Sequence, residues 1–244
     1  MRTLIKMCGM RTLDEMVWIW RIMPEYVGFV FAEKSKRYIS PQQARILSDG
    51  LDEKITPVGV FVNSSFDEIT DIYKAGTIKI AQLHGNEPDE LILRLQDAGI
   101  NVIRAFQVKS EADIEKAENS PADLVLLDSG KGSGETFDWS LIKQMSRPYF
   151  LAGGLDPKNV TQAINGLHPF AVDVSSGIET DGVKDCNKMM EFAYAVRSNQ
   201  KAESRKQKVE IRIVGAGVPD SPPICNINQC VGTAIGRPQE YTHM

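Results

Sequence analysis

Two side chains able to move protons stand at the ends of apolar runs far apart in the chain. Cys8, with Gly9, follows the run Thr3–Met7, and Asp128 closes the run Leu124–Asp128. A cysteine at such a place serves as proton acceptor or nucleophile when its thiolate is stabilised. A lone cysteine is also commonly a small buried hydrophobe, and both readings stand at this point. A carboxylate after an apolar run must be paired or must face open space. Partial desolvation raises its pKa and suits it to general-acid work; the plainer reading is a cap or turn aspartate.

Candidate anion grips accompany this pair. Ala152-Gly153-Gly154-Leu155 and Asp173-Val174-Ser175-Ser176-Gly177 each follow an apolar run. Glycine lets backbone N–H groups approach phosphate oxygens, and serine hydroxyls add donors. Tight turns without a ligand are the alternative. Lys34-Ser35-Lys36-Arg37-Tyr38 is a basic cluster in which Arg37 offers a forked donor for a carboxylate. A solvated charged loop is the commoner meaning of such a cluster. His84, in Gln82-Leu83-His84-Gly85, is placed to line a mouth, although a lone histidine more often serves structure. Lys131-Gly132-Ser133-Gly134-Glu135-Thr136 reads as a Gly/Ser loop able to fold over a ligand, or as a plain surface loop.

These residues need a frame that gathers them. Strands are expected at Thr3–Met7, Tyr26–Phe31, Pro57–Val62, Ile78–Leu83, Asn101–Phe106, Leu124–Asp128, Tyr149–Ala152 and Ala171–Val174, eight in all. Their near-continuous apolar character suits a parallel sheet buried on both faces. Helices with start signals lie between them: Thr12-Leu13-Asp14-Glu15 opens the first, and Ser40-Pro41 puts proline just inside the second. Further helices are expected over 65–74, 87–98, 110–118, 138–145, 156–165 and 184–197, with Asp156-Pro157 as another cap and proline. Strict β-then-α alternation means a barrel or a doubly wound sheet. No G-x-G-x-x-G follows the first strand, and eight units favour a (β/α)₈ barrel, whose chemistry sits on the loops after the strands. The turns after strands seven and eight are then where phosphate sits in many barrels.

Bulk properties bound the possibilities further. The chain has 244 residues and a net charge of -4, so no basic field calls for nucleic acid. Cys8, Cys186, Cys225 and Cys230 match no zinc or disulfide-scaffold spacing, which fits a reduced compartment and no metal. Val17-Trp18-Ile19-Trp20 is too short, and too soon followed by Arg21, for a secretory segment. No stretch approaches the roughly 20 apolar residues of a membrane span. A cytoplasmic location and no membrane partner are expected. Residues 1–200 are read as the barrel and 201–244 as an appendix: a disordered tail, a non-native extension or a small docking segment.

Taken in order, these motifs resemble the phosphoribosylanthranilate isomerase family of tryptophan biosynthesis. The resemblance rests on Lys6-Met7-Cys8-Gly9, Gly28-Phe29-Val30-Phe31, Ser35-Lys36-Arg37-Tyr38, Val58-Gly59-Val60-Phe61-Val62-Asn63 and Gln82-Leu83-His84-Gly85. Leu127-Asp128 with Gly132-Ser133-Gly134, Thr136-Phe137-Asp138-Trp139, Gly153-Gly154-Leu155 and Asp173-Val174-Ser175-Ser176-Gly177 complete it, over about residues 2–198. It implies a ribulose-phosphate-binding barrel and an Amadori rearrangement of N-(5-phospho-β-D-ribosyl)anthranilate, with no cofactor. It further implies Asp128 as general acid, Cys8 as general base and Arg37 on the anthranilate carboxylate. Gly153, Gly154, Ser175, Ser176 and Gly177 would bind phosphate, and Asp173 a substrate hydroxyl. A monomer is expected, with possible association with other enzymes of the pathway.

The first helix, Met16 to Met23, is bulkier and more aromatic than the family pattern, and the segment from Lys201 has no counterpart in it. Related phosphosugar barrels fit less well: a synthase needs catalytic lysines and an added N-terminal segment, and a histidine-pathway isomerase needs paired aspartates where Cys8 stands. A non-catalytic barrel serving as a binding module is the alternative of another class.

Overall fold

The computed structural model describes residues 2–128, 139–142 and 145–199. The Gly/Ser loop over 131–136 and the segment 201–244 lie outside the described residues.

Eight parallel strands close into a barrel in sequence order. They are β1 (Leu4–Cys8), β2 (Tyr26–Val30), β3 (Thr56–Phe61), β4 (Ile80–Leu83), β5 (Asn101–Gln107), β6 (Leu124–Asp128), β7 (Tyr149–Ala152) and β8 (Ala171–Val174). Each matches an expected run to within two residues at either end. The helices between them are α1 (Leu13–Ile22), α2 (Pro41–Asp49), α3 (Phe66–Lys74), α4 (Asp89–Asp97), α5 (Glu111–Glu118), α6 (Trp139–Ile142) and α7 (Val160–Leu167). A last helix, α8, runs over 186–199.

Local chemistry explains the helix starts. Thr12 Oγ1 accepts from the Glu15 N–H while the Glu15 carboxylate accepts from the Thr12 N–H, a reciprocal capping box. Ser40 and Gln43 form the same box on α2, with Pro41 at the first helical position. The bulky α1 splits its aromatics. Trp18 packs on the core, while the half-exposed Trp20 donates Nε1–H to the Gly50 carbonyl at 2.7 Å.

Two expected starts are corrected. Asp156-Pro157 does not open α7. Its carboxylate accepts from the Lys158 and Asn159 N–H groups at 2.7 and 3.0 Å, forming a turn, and the helix begins after Asn159. Lys184 does not open α8 but lies in a short hairpin, β9 (Glu179–Thr180) with β10 (Val183–Lys184). A two-residue reach from Asp181 and Gly182, both at positive φ, makes its turn.

The core has two layers. Ile5, Met7, Val125, Leu127, Val172 and Val174 point outward against the helices. Val58, Ile80, Ile103, Leu126, Phe150 and Ala171 fill the barrel interior. Successive strand residues alternate between these layers. On β6 that puts Leu126 and then Asp128 inside; on β8, Ala171 and then Asp173; on β1, Lys6 and then Cys8. The apolar alternation therefore decides which side chains enter the mouth.

Candidate active site

A cavity of about 350 Å³ opens at the ends of the strands that the preceding side chains line. Cys8, Arg37, His84, Asp128, Gly153, Gly154, Asp173, Ser175 and Ser176 all border it. Gly177 does not. A Cβ there would stand 1.9 Å from the Leu155 carbonyl oxygen, so this glycine lets the turns after β7 and β8 touch.

On the β1 and β8 side the site is dry and charged. Lys6 is fully buried, and its Nζ donates to Asp173 Oδ2 at 2.9 Å, across the register pair Lys6↔Asp173. Burial opposes the Lys6 charge, but Asp173 and then Cys8 outweigh it, so the pKa of Lys6 is raised. Burial pushes the Cys8 thiol up from its ordinary range, while the Lys6 ammonium, its hydrogen bond and Lys184 pull the other way. Burial prevails and the thiol stays above its ordinary range, with Lys6 the strongest of the groups that oppose it. The thiol is held by a close fit: a Cβ at Gly28 would stand 2.7 Å from Cys8 Sγ. Asp173 Oδ1 is buried without a partner among the described residues.

On the β4 and β6 side the site is wetter. His84 Nε2 lies 3.4 Å from Asp128 Oδ2, with side chains 32% and 22% exposed. The Gln82 amide meets His84 Nδ1 at 3.0 Å and fixes the ring. Behind them the buried Glu87 carboxylate accepts from the Asn63 and Gly85 N–H groups and from Arg104 Nη1 at 2.6 Å, tying the loops after β3 and β4 together.

The turns after β7 and β8 are built from unusual backbone. Gly153 and Gly154 both have positive φ, 92° and 64°, which side chains rarely adopt. Asn159 Nδ2 donates to the Gly154 carbonyl at 2.8 Å and orders that turn. Ser175 Oγ donates to the Cys8 carbonyl at 3.1 Å, joining the turn after β8 to β1. Arg37 lies across Gly9, where a Cβ would meet its Cδ at 2.6 Å. Its fork is not idle: Nε and Nη2 donate to the two oxygens of Glu179 at 2.6 and 2.7 Å.

Lys6, Gln82, Glu179 and Lys184 escaped the sequence reading as functional residues. Lys6 was detectable, since it lies two residues before Cys8 and so shares its inward face. Gln82 stands in the same relation to His84. Glu179 and Lys184 gave no such signal, because a hairpin that no periodicity marks brings them to Arg37.

Comparison with known proteins agrees with this geometry. Residues 5–195 match the family described as N-(5'phosphoribosyl)anthranilate (PRA) isomerase. The N-(5'-phosphoribosyl)anthranilate isomerase of Lacticaseibacillus casei is 43% identical over 189 residues, covering 78% of this chain and 92% of that protein. Its namesake from Clostridium acetobutylicum is 41% identical over 202 residues, covering 79% and 97%. The crystal structure of phosphoribosyl anthranilate isomerase from Thermotoga maritima superposes with a TM-score of 0.75 at 41% identity, covering 80% of this chain and 99% of that one. A structure of such an isomerase in complex with reduced 1-(o-carboxyphenylamino)-1-deoxyribulose 5-phosphate superposes with a TM-score of 0.73 at 40% identity, with the same coverage. The eight-stranded barrel, the inward Cys8 and Asp128 and this match over most of the chain agree: the chain belongs to the phosphoribosylanthranilate isomerase family.

Proposed function

We propose that this chain is an isomerase converting N-(5-phospho-β-D-ribosyl)anthranilate to 1-(2-carboxyphenylamino)-1-deoxy-D-ribulose 5-phosphate, a step of tryptophan biosynthesis. The observation that carries the reading is that Cys8, Asp128, Arg37 and the Gly153-Gly154 and Ser175-Ser176 turns line one cavity. Asp128 protonates the furanose ring oxygen, and the ring opens to a Schiff base. Cys8, as thiolate beside Lys6, takes the C2′ proton and leaves an enolamine, which tautomerises to the ketone. Asp128 stands at the mouth, 22% exposed, with His84 Nε2 3.4 Å away to orient it toward the ring oxygen.

Arg37 holds the anthranilate carboxylate with the part of its guanidinium that Glu179 leaves over. The Gly153-Gly154 turn and the Ser175-Ser176 turn take the phosphate, in keeping with their backbone conformations and the known habit of barrels at strands seven and eight. Gly177 supports that grip by letting the two turns meet. Asp173 accepts from a substrate hydroxyl through Oδ1, the buried oxygen that has no partner among the described residues. His84 orients Asp128 and borders the same end of the substrate.

A monomer is the working reading, set against the Thermotoga maritima relative, which is described as dimeric. Light scattering on the purified chain decides between these. No helix among the described residues is long and apolar enough to cross a membrane, and the reading places the reaction in the cytoplasm. Residues 201–244 are read as an appendix outside the catalytic barrel, so a chain ending at residue 200 should retain turnover. The direct test follows the fluorescence of phosphoribosylanthranilate made in situ from anthranilate. Loss of signal well above the uncatalysed rate supports the activity, and a folded chain that leaves the signal unchanged overturns it.

A further inference from the structure

The mechanism above uses Arg37 and Ser175 but not the two charged groups that bind them. Glu179 is nearly buried, with its side chain 8% exposed, and it sits between two cations. Its Oε1 accepts from Arg37 Nε at 2.6 Å and from Lys184 Nζ at 2.7 Å, and its Oε2 accepts from Arg37 Nη2 at 2.7 Å. Lys184, with its side chain 1% exposed, also donates to the Ser175 carbonyl at 2.9 Å and lies 3.3 Å from Ser175 Oγ. One continuous chain of hydrogen bonds therefore runs from Arg37 through Glu179 and Lys184 to Ser175.

The geometry assigns Glu179 and Lys184 as positioning residues that fix the two anion grips relative to one another. This rests on the reading of Arg37 as the carboxylate grip and of the Ser175 turn as part of the phosphate grip. A bidentate fork locks the guanidinium plane, so the nitrogens it leaves over present one direction to a substrate. An arginine laid across Gly9 without that partner keeps many rotamers, and ordering them would oppose binding. Lys184 completes the device. It donates to Glu179 Oε1, the oxygen that Arg37 Nε also reaches, and anchors the hairpin to the turn after β8. A substrate with a carboxylate at one end and a phosphate at the other then meets two grips whose relative placement is already fixed.

A purely structural pair makes a different prediction. Replacing one partner of a buried ion pair leaves the other uncompensated and destabilises the fold, while replacing both together relieves that strain. The test therefore compares Glu179→Gln with the double variant Glu179→Gln/Lys184→Met in the phosphoribosylanthranilate assay, with thermal unfolding and inhibition by inorganic phosphate measured beside it. The double variant is expected to unfold near the parent temperature yet keep a KM raised about tenfold, the value of one charged hydrogen bond, with kcat within about threefold. Its inhibition constant for inorganic phosphate should rise in parallel. A double variant with parental KM, or with unchanged phosphate inhibition, overturns the assignment and leaves the pair structural. A parent chain without turnover overturns the underlying reading as well, so the two failures are told apart by the parent alone.

Discussion

The two walls of the mouth solve the same problem under opposite conditions. Each pairs a carboxylate with a nitrogen base. On the β1 and β8 wall, Lys6 and Asp173 meet at 2.9 Å with exposures of 0% and 9%. On the β4 and β6 wall, His84 and Asp128 meet at 3.4 Å with water at hand. Charge in the dry wall is fixed, since neither partner of a buried ion pair can leave without stranding the other. Charge in the wetter wall is less strongly held, because solvent reaches both side chains and screens it. One mouth thus sets a fixed cation beside the Cys8 sulfur, which burial would keep neutral, and leaves Asp128 within reach of solvent.

The largest effect is expected from removing the two side chains proposed to carry protons. Cys8→Ala and Asp128→Ala are each expected to lower kcat about 10²- to 10⁴-fold, the usual range for a positioned acid or base, with little change in the unfolding temperature. Circular dichroism beside the kinetic assay separates loss of chemistry from loss of fold. Retention of parental turnover by Cys8→Ala would show that the dry wall does not carry the base.

The next effect concerns stability. Lys6→Met leaves the buried Asp173 carboxylate without its cation and should destabilise the fold by about 3–5 kcal/mol in urea titration. A cost below about 1 kcal/mol would mean that the pair is not dry, and the contrast between the walls would collapse.

A third prediction uses pH. Burial raises the Glu179 pKa, but the hydrogen bonds and charges of Arg37 and Lys184 outweigh it and carry the value down to about 2 from an ordinary 4.5. A carboxylate depressed in the fold stabilises it above its unfolded pKa, and that stability is lost as pH falls through the folded value. Folding free energy measured between pH 5 and 2 should therefore decline on the order of 2–3 kcal/mol more steeply in the parent than in Glu179→Gln. Parallel curves would show that Glu179 is not held charged between its two cations.

The smallest effect belongs to the wetter wall. His84→Gln removes a half-screened contact with Asp128, and a change in unfolding free energy below about 1 kcal/mol is expected. A loss as large as that of Lys6→Met would erase the distinction from the other side.

Much of the frame was legible in the chain order. Eight apolar runs of four to seven residues, each followed by a capped polar segment, leave little choice but an eight-unit barrel. Caps such as Thr12 with Glu15 act over three residues and need no tertiary information. Where the local signal was ambiguous it misled. An aspartate before a proline serves a turn as well as a cap, and Asp156 makes the turn.

Element order, and the strand end at which Cys8, His84, Asp128 and Asp173 stand, follow from alternation and capping, short-range rules written into neighbouring residues. Which of them touch was decided only by tertiary structure. Barrel closure sets β1 beside β8 and so makes Lys6 and Asp173 a pair, although 167 positions separate them. The hairpin over 179–184 brings Glu179 to Arg37 across 142 positions. Such pairings depend on the register and closure of the whole sheet, a long-range property that no local pattern encodes. The same closure removes water from one wall of the mouth and leaves it at the other.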